Sequence, residues 1–194
     1  MKEALFYLPL AICVITSLVL LLNLPWRWLV ISLSVQYLAV FGLLVQSWSF
    51  GLAAVFLLVG WMSGAVLGAS HPPEPEVGLM DVNLSGNIFR IFAAFLVGIA
   101  MTSAGIVGME WIPAPLPALL SGLILVGMGL LQLGMTTKPF RATIGLLTVL
   151  SGFEVVYASL VTSVLVTGLL AVVTLGLALV GSYLMNAATL EEPE

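Results

Sequence analysis

Charged residues are scarce in this sequence. Asp, Glu, Lys and Arg make up 7% of its 194 residues, against roughly 25% in a typical soluble domain. Hydrophobic residues account for 61% and the mean hydropathy is +1.23. A chain with so little polar surface could not cover itself in water, so the lipid bilayer must be its solvent. We therefore predict an all-α integral membrane protein.

Cysteine and histidine are almost absent, with one of each. Cys13 lies in an apolar run and cannot form an internal disulfide, so we interpret it as a small buried hydrophobic residue. His71 stands near Glu74, Glu76 and Asp81. These four could gather a metal, but no ligand spacing repeats, and a solvated acidic loop is the favoured interpretation. We predict no metal site.

Motifs for other chemistry are also missing. The sequence has no CxxC, no nucleophile–base pair, no phosphate-binding glycine loop and no haem-like histidine pair. It also has no extended basic segment that would suggest nucleic acid. We therefore expect no cofactor in this chain, no catalysis by the chain alone and no nucleic-acid partner.

Long apolar runs predict seven transmembrane helices, since about 20 residues cross the hydrocarbon core. The run from Ala142 to Met185 would reach roughly 65 Å as one helix, about twice a bilayer core, so we place a turn near Thr162-Ser163. We predict one membrane domain, with a four-helix part over residues 1–110, a polar loop over 70–87 and a three-helix part over 116–186. The first five predicted spans are Ala4–Leu22, Trp28–Val45, Phe50–Ala69, Ile88 to just before Glu110, and Pro117–Met135.

The basic residues indicate an orientation. If the N-terminus lies outside the cell, Arg27, Arg90, Lys138 and Arg141 all fall at the cytoplasmic face, and only Lys2 falls outside. The positive-inside rule then predicts an external N-terminus and a cytoplasmic C-terminus. Lys138 and Arg141 form a short basic turn between the fifth and sixth spans.

Glu154 is the most informative residue, because no other charged residue occurs between Arg141 and Glu191. A carboxylate inside a membrane helix is energetically costly and by default indicates function. Its protonated form is cheaper to bury, and a carboxyl that gains and loses a proton could serve as a relay. Tyr157 lies three residues on and could hydrogen-bond the carboxyl, although a packing role for Tyr157 is equally open. The alternative role of Glu154 is a structural hydrogen bond.

Other polar residues in the predicted spans have weaker implications. Gln36 and Gln132 are candidates for helix–helix polar contacts, worth about 1 kcal/mol each. Arg90 enters the fourth span near its start, and we expect it to reach the headgroups. A buried ion pair between Arg90 and Glu154 is the less favoured alternative.

Glycine spacing predicts close helix packing. Gly60, Gly64 and Gly68 recur at every fourth residue and would form one flat helix face. A second, looser series lies in the fifth span, at Gly122, Gly127, Gly129 and Gly134.

The C-terminal part contains the stretch GMGLLQLGMTTKPFRATIGLLTVLSGFEVVYASL. It resembles the three-helix NuoK/MrpC type of subunit, the 4L-like chain of respiratory complex I and Mrp antiporters. In that family a helix ends in a short basic turn, and the next helix opens with an Ile-Gly-Leu motif and carries a membrane-embedded glutamate. Here the turn is 137–141, the motif is Ile144-Gly145-Leu146 and the resemblance extends over about 121–185. The whole chain is similar in helix number to the HyfE-like membrane component of hydrogenase-4-type complexes.

The sequence departs from that family pattern at the acid. Leu147 and Leu150 occupy the family's usual acidic positions, and Glu154 follows them by seven and four residues. These shifts keep the side chain on nearly the same helix face at a different depth. The family also tends to hold a second acid in the following helix, whereas residues 164–185 contain none.

The resemblance implies an accessory membrane subunit of a proton- or sodium-translocating complex in the plasma membrane of a prokaryote. Glu154 would be its protonatable site, and larger antiporter-like membrane subunits would be its partners. Such a complex would couple redox chemistry or an ion gradient to translocation. Two alternatives are a stand-alone small transporter, in which Glu154 binds a cation or proton, and a structural or assembly subunit, in which Glu154 is a hydrogen-bonding anchor.

Overall fold

The computed structural model describes residues 2–71 and 84–190, with side chains over 7–71 and 86–187. Within these ranges the chain folds into seven α-helices and contains no β-strand. The helices are α1 (Lys2–Leu21), α2 (Trp26–Leu44), α3 (Phe50–Ala69), α4 (Leu84–Gly108), α5 (Leu116–Gly134), α6 (Pro139–Leu160) and α7 (Val164–Leu190).

Prolines mark the starts of three helices. Pro25 immediately precedes α2, Pro117 lies in the first turn of α5, and Pro139 is the first residue of α6. The first turn of a helix has N–H groups without intrahelical partners, so proline loses nothing there and its φ angle already suits the helix.

The division of the last apolar run is confirmed. Helix α6 ends at Leu160 and α7 begins at Val164, so the break includes the predicted Thr162-Ser163 turn. Val161 has an extended backbone, with φ −141° and ψ 139°, and its N–H donates to the carbonyl of Tyr157. The chain therefore leaves α6 in an extended conformation before it reverses.

Helix α4 begins earlier than predicted. It starts at Leu84, whereas we expected the polar loop to continue to residue 87. The side chain of Asn87 is held in this first part of the helix, since its Oδ1 accepts a hydrogen bond from the backbone N–H of Asn23 at 3.2 Å. Glu74, Glu76 and Asp81 lie outside the described residues.

Six of the helices in the described ranges, α2 to α7, are long and apolar enough to cross a membrane. The apolar part of α1 with described side chains is shorter, Tyr7–Leu21. Side chains on the outer faces are largely apolar, as at Phe89 and Phe95 on α4 and Val172 on α7. Exposed apolar side chains of this size suit lipid rather than water, which is consistent with a membrane-embedded protein.

Helix contacts join the two predicted parts of the sequence. The most extensive contact is between α5 and α6. Helix α1 packs on α2 and α5, α3 packs on α2 and α7, and α6 also contacts α2 and α7. The C-terminal helices thus pack directly against the N-terminal ones, and α2, α6 and α7 come together where the buried polar side chains lie.

Two glycine pairs set the close approach of α5 and α6. A Cβ added to Gly122 would lie 2.8 Å from the carbonyl oxygen of Gly152, and one on Gly129 would lie 2.8 Å from the oxygen of Gly145. In each helix the two glycines are seven residues apart, about two turns, so both pairs occupy one face. Small residues at these places let the two backbones touch.

The predicted glycine face of α3 lies against α2. A Cβ on Gly60 would overlap the ring of Tyr37. Gly64 and Gly68 are less restricted, since their added Cβ atoms would make ordinary contacts with Ser34 at 3.7 Å and Trp26 at 3.8 Å. Within this series, Gly60 is therefore the position at which the ring of Tyr37 leaves no room for a Cβ.

Candidate functional site

Glu154 is fully buried, with 0% of its surface exposed. Its side chain points from α6 toward α7, where the hydroxyl of Thr174 donates to the carboxyl oxygen Oε1 at 3.2 Å. The same hydroxyl lies 2.9 Å from the carbonyl oxygen of Leu170 one turn earlier in α7. The carboxyl therefore faces the interior of the helix bundle and not the lipid.

Gln36 connects α2 to the same face of α6. Its amide nitrogen Nε2 lies 3.4 Å from the hydroxyl of Thr148 and 3.4 Å from that of Ser151. Those two hydroxyls donate to carbonyl groups of α6 itself, which leaves their lone pairs free to accept from Gln36. Gln36, Thr148 and Ser151 are all fully or almost fully buried.

Three buried polar atoms in this region have no hydrogen-bond partner among the described residues. They are Oε1 of Gln36, the hydroxyl of Tyr37 and Oε2 of Glu154. Tyr37 lies close enough to Glu154 for the two groups to interact electrostatically. Buried polar groups are normally hydrogen-bonded, so three such atoms in one region indicate a site with unused capacity to bind a proton or a small polar ligand.

Helix α3 reaches the edge of this region. Ser63 is fully buried, and its hydroxyl lies 3.5 Å from the carbonyl oxygen of Thr174. We call the set of Gln36, Tyr37, Ser63, Thr148, Ser151, Glu154 and Thr174 the central polar cluster. It draws its side chains from α2, α3, α6 and α7.

Tyr157 takes part in a different group of contacts. Its ring stacks on Phe153 at 6.2 Å between centroids and meets Trp48 edge-on at 6.4 Å. The indole nitrogen of Trp48 in turn donates to the carbonyl of Val161, where α6 ends. The described side-chain contacts of Tyr157 are aromatic and none joins it to Glu154, whereas Tyr37 lies within electrostatic range of the acid.

Gln132 and the predicted basic turn lie at the other end of α6. The amide of Gln132 donates to the backbone carbonyl of Arg141 at 3.0 Å and thereby ties α5 to α6. Arg141 is only 9% exposed, and its guanidinium donates to the carbonyls of Leu22 and Leu24. Lys138 is exposed, so only one of the two basic residues faces outward.

Arg90 is held at the same end. Its guanidinium donates to the carbonyl of Leu21 at 2.8 Å, at the last residue of α1. In the described residues it forms no ion pair with Glu154. Arg90 therefore contacts the end of another helix, and the headgroup contact that we expected for it stays a prediction.

Cys13 and His71 both pack against hydrophobic or aromatic side chains. Cys13 is fully buried in an apolar cluster with side chains of α2 and α3. The ring of His71 stacks on Trp26 at 5.0 Å and meets Phe140 edge-on. No group of three His, Cys, Asp or Glu side chains that could hold a metal occurs in the part of the chain that the structure describes.

Sequence reasoning missed Tyr37 and Thr174 as neighbours of Glu154. One signal was available for α6, because Thr148, Ser151 and Glu154 follow one another at intervals of three residues and so share a helix face. No comparable signal exists for Tyr37 or Thr174. Other polar residues occur in the same helices, such as Gln36 in α2 and Thr167 in α7, so the sequence does not single out Tyr37 or Thr174. Their positions relative to Glu154 depend on how the helices are rotated.

No protein-family model, curated protein or solved structure matches this chain. The resemblance to NuoK- and HyfE-like subunits therefore stays a prediction.

Proposed function

We propose that the protein is an accessory membrane subunit of a proton- or sodium-translocating complex, with Glu154 as an intramembrane protonatable site. The observation that carries the proposal is a fully buried carboxyl that accepts a hydrogen bond from a hydroxyl of the neighbouring helix α7. Acidic side chains inside membrane helices are rare, and they commonly mark ion pathways and proton relays. The resemblance of the α5–α6 segment to NuoK-like subunits supports the same class of function.

The contact with Thr174 suits both protonation states of the acid. When Glu154 is ionised, the Thr174 hydroxyl can donate to Oε1 at 3.2 Å. When Glu154 is protonated, the hydroxyl can donate instead to the carbonyl of Leu170 at 2.9 Å and accept a hydrogen bond from the carboxyl O–H. Rotation of the Thr174 hydroxyl then accommodates either protonation state of Glu154, without rearrangement of the helices.

Further buried polar atoms lie in the same central polar cluster. Oε2 of Glu154, the hydroxyl of Tyr37 and Oε1 of Gln36 retain unused acceptor positions. Hydroxyl and carboxyl groups can both receive and donate protons, and the amide of Gln36 donates to the hydroxyls of Thr148 and Ser151. We expect larger antiporter-like membrane subunits to supply the rest of the route, because the described part of the chain contains no second acid in α7.

The same proposal includes seven spans, with α1 as the first. The hydrogen bonds of Arg90 and Arg141 place the starts of α4 and α6 beside the end of α1, and Arg27 follows at the start of α2. Arg27, Arg90 and Arg141 thus collect at one end of the bundle. By the positive-inside rule this end faces the cytoplasm of a prokaryotic cell, with the N-terminus outside.

The proposal is tested by Glu154→Gln in the intact complex. Glutamine keeps the size of the side chain and its ability to accept from Thr174, but it cannot exchange a proton. We expect ion translocation into membrane vesicles to fall by at least tenfold, as for the loss of a group that takes part in proton transfer. Glu110→Gln is the matched control, since Glu110 is exposed at the end of α4. Unchanged translocation by the Glu154→Gln complex would overturn the relay role.

A structural role is the second candidate, and the Glu154–Thr174 hydrogen bond between α6 and α7 favours it. In that case Glu154→Leu, which lacks the acceptor, would weaken assembly of the complex, measured by co-purification of its subunits, whereas Glu154→Gln would preserve both assembly and translocation. The relay role instead requires normal assembly with lost translocation in Glu154→Gln. The two outcomes are separated by measuring both quantities on the same membranes.

A further inference from the structure

A second polar site lies at the end of the bundle opposite the Trp48–Val161 contact. Arg90 donates to the carbonyl of Leu21, and Arg141 donates to the carbonyls of Leu22 and Leu24. Two guanidinium groups, one from α4 and one from α6, therefore meet at a four-residue stretch where α1 ends. We call these two side chains and residues 21–24 the arginine site.

The arginine site carries more positive charge than its described surroundings offset. Arg90 and Arg141 are close enough for their charges to repel each other. The carbonyl end of α1 supplies the equivalent of about −0.5 charge against two positive charges. Among the described side chains the acids are Glu110 and Glu154. Glu110 follows α4, whose 25 residues place it about 37 Å from the start of that helix.

Both arginines have N–H groups that the described hydrogen bonds do not use. A guanidinium has five N–H groups in a fork that matches the oxygens of a phosphate. The described hydrogen bonds use one nitrogen of Arg90 and two of Arg141. The remaining donors can bind a phosphate group through two parallel hydrogen bonds, which is the geometry in which arginine binds anions most strongly.

The apolar residues beside the site indicate a lipid as the source of that phosphate. Arg90 stands among Ile88, Phe89, Ile91 and Phe92 on α4, and all four of these side chains are exposed. An acyl chain can lie along this surface while its headgroup reaches Arg90. Trp26 and Phe140 pack nearby around His71, and aromatic residues of this kind are enriched at headgroup depth.

We propose that the arginine site binds the phosphate headgroup of an anionic phospholipid whose acyl chains lie against the first turns of α4. Basic pockets between membrane helices are a recognised way to bind such headgroups. The negative charge of the lipid would offset most of the remaining positive charge of the two arginines, and the lipid would join α4 to α1 and α6. This inference does not depend on the role of Glu154.

The test measures lipid binding to the purified protein. Protein in a neutral detergent is titrated with phosphatidylglycerol or with phosphatidylcholine, and bound lipid is counted by native mass spectrometry. We expect the wild type to prefer phosphatidylglycerol. Each arginine near a lipid surface contributes about a fivefold effect on binding, so Arg90→Gln should weaken phosphatidylglycerol binding by about fivefold and leave phosphatidylcholine binding unchanged. Arg90→Lys keeps the charge without the forked donor geometry. It should bind phosphatidylglycerol more weakly than the wild type and more tightly than Arg90→Gln.

Arg27→Gln is the matched control, because Arg27 is an exposed cation at the same end of the bundle. Equal losses of phosphatidylglycerol binding in Arg27→Gln and Arg90→Gln would indicate a diffuse effect of surface charge and overturn the site. A wild type that binds both lipids equally would also overturn it.

A third arm of the test replaces lipid with inorganic phosphate. If phosphate alone stabilises the wild type as much as phosphatidylglycerol does, the site binds a free anion and the lipid assignment is wrong. Thermal unfolding of each variant checks that it is folded.

Discussion

The hydroxyl of Thr174 on α7 lies 3.2 Å from the carboxyl oxygen Oε1 of Glu154 on α6. Both side chains are fully buried. The two residues are twenty positions apart, on either side of the turn at 161–163, so the turn itself brings them together. This contact links the last two helices and gives the acid its one described hydrogen-bond partner.

Replacement of Thr174 by valine tests that contact. Valine has nearly the same shape but no hydroxyl, so Oε1 of Glu154 loses its donor while the packing is kept. We expect the free energy of unfolding to fall by about 1 kcal/mol and ion translocation by the complex to fall severalfold. Thermal unfolding in detergent and vesicle assays measure the two effects.

Thr167→Val is the matched control for Thr174→Val. Thr167 is also buried on α7, and its hydroxyl donates to the carbonyl of Ser163 within its own chain segment. Its replacement should leave translocation at the wild-type level. If both variants reduce translocation equally, the Thr174 hydroxyl has no special connection to Glu154.

The two tyrosines should differ when each is changed to phenylalanine. Tyr37 has a buried hydroxyl without a described partner, within electrostatic range of Glu154. Its removal should therefore alter the pH dependence of translocation, and relief of the unsatisfied hydroxyl should raise the free energy of unfolding by about 1 kcal/mol. Tyr157→Phe should change neither quantity, because the described contacts of Tyr157 use its ring. If Tyr157→Phe affects translocation more than Tyr37→Phe does, Tyr157 and not Tyr37 is the tyrosine that acts with Glu154.

The glycine pairs between α5 and α6 predict a steric effect. Gly152→Ala places a Cβ 2.6 Å from the carbonyl oxygen of Gly122 and 2.8 Å from the Cβ of Leu125. Since backbone cannot yield easily, we expect a loss of about 1–3 kcal/mol in the free energy of unfolding. Gly176→Ala, where an added Cβ meets nothing within 4 Å, should be neutral or slightly stabilising. Equal stability of the two variants would show that α5 and α6 are not held at this distance.

Isolation of the protein tests its predicted partners. In a mild detergent we expect the chain to co-purify with a larger membrane subunit, since a lone buried acid in the described helices leaves an ion route incomplete. Mass spectrometry of the purified material identifies the partner. The opposite result is a chain that purifies alone as a defined oligomer and moves solute in vesicles, and it would favour the stand-alone transporter.

The basic turn shows where local sequence stops being informative. The positions of Lys138 and Arg141 at the start of the sixth span were predictable, because charge at a helix end is easily tolerated. The inward direction of Arg141 was not, because it depends on the carbonyls of Leu22 and Leu24, more than a hundred residues away in the chain.

By itself, the sequence determined that the chain is helical with segments long and apolar enough to cross a membrane, that its last apolar run breaks near residue 162, and that Glu154 is its exceptional residue. These properties depend on the length and polarity of consecutive segments, which are local quantities. Only the tertiary structure decided that Thr174 donates to Glu154 with Tyr37 in electrostatic range, that Tyr157 joins an aromatic group instead, and that Arg90 and Arg141 both contact the end of α1. Those relationships depend on the rotation and contact of separate helices, and the sequence pattern of one helix does not show which face of another helix it meets.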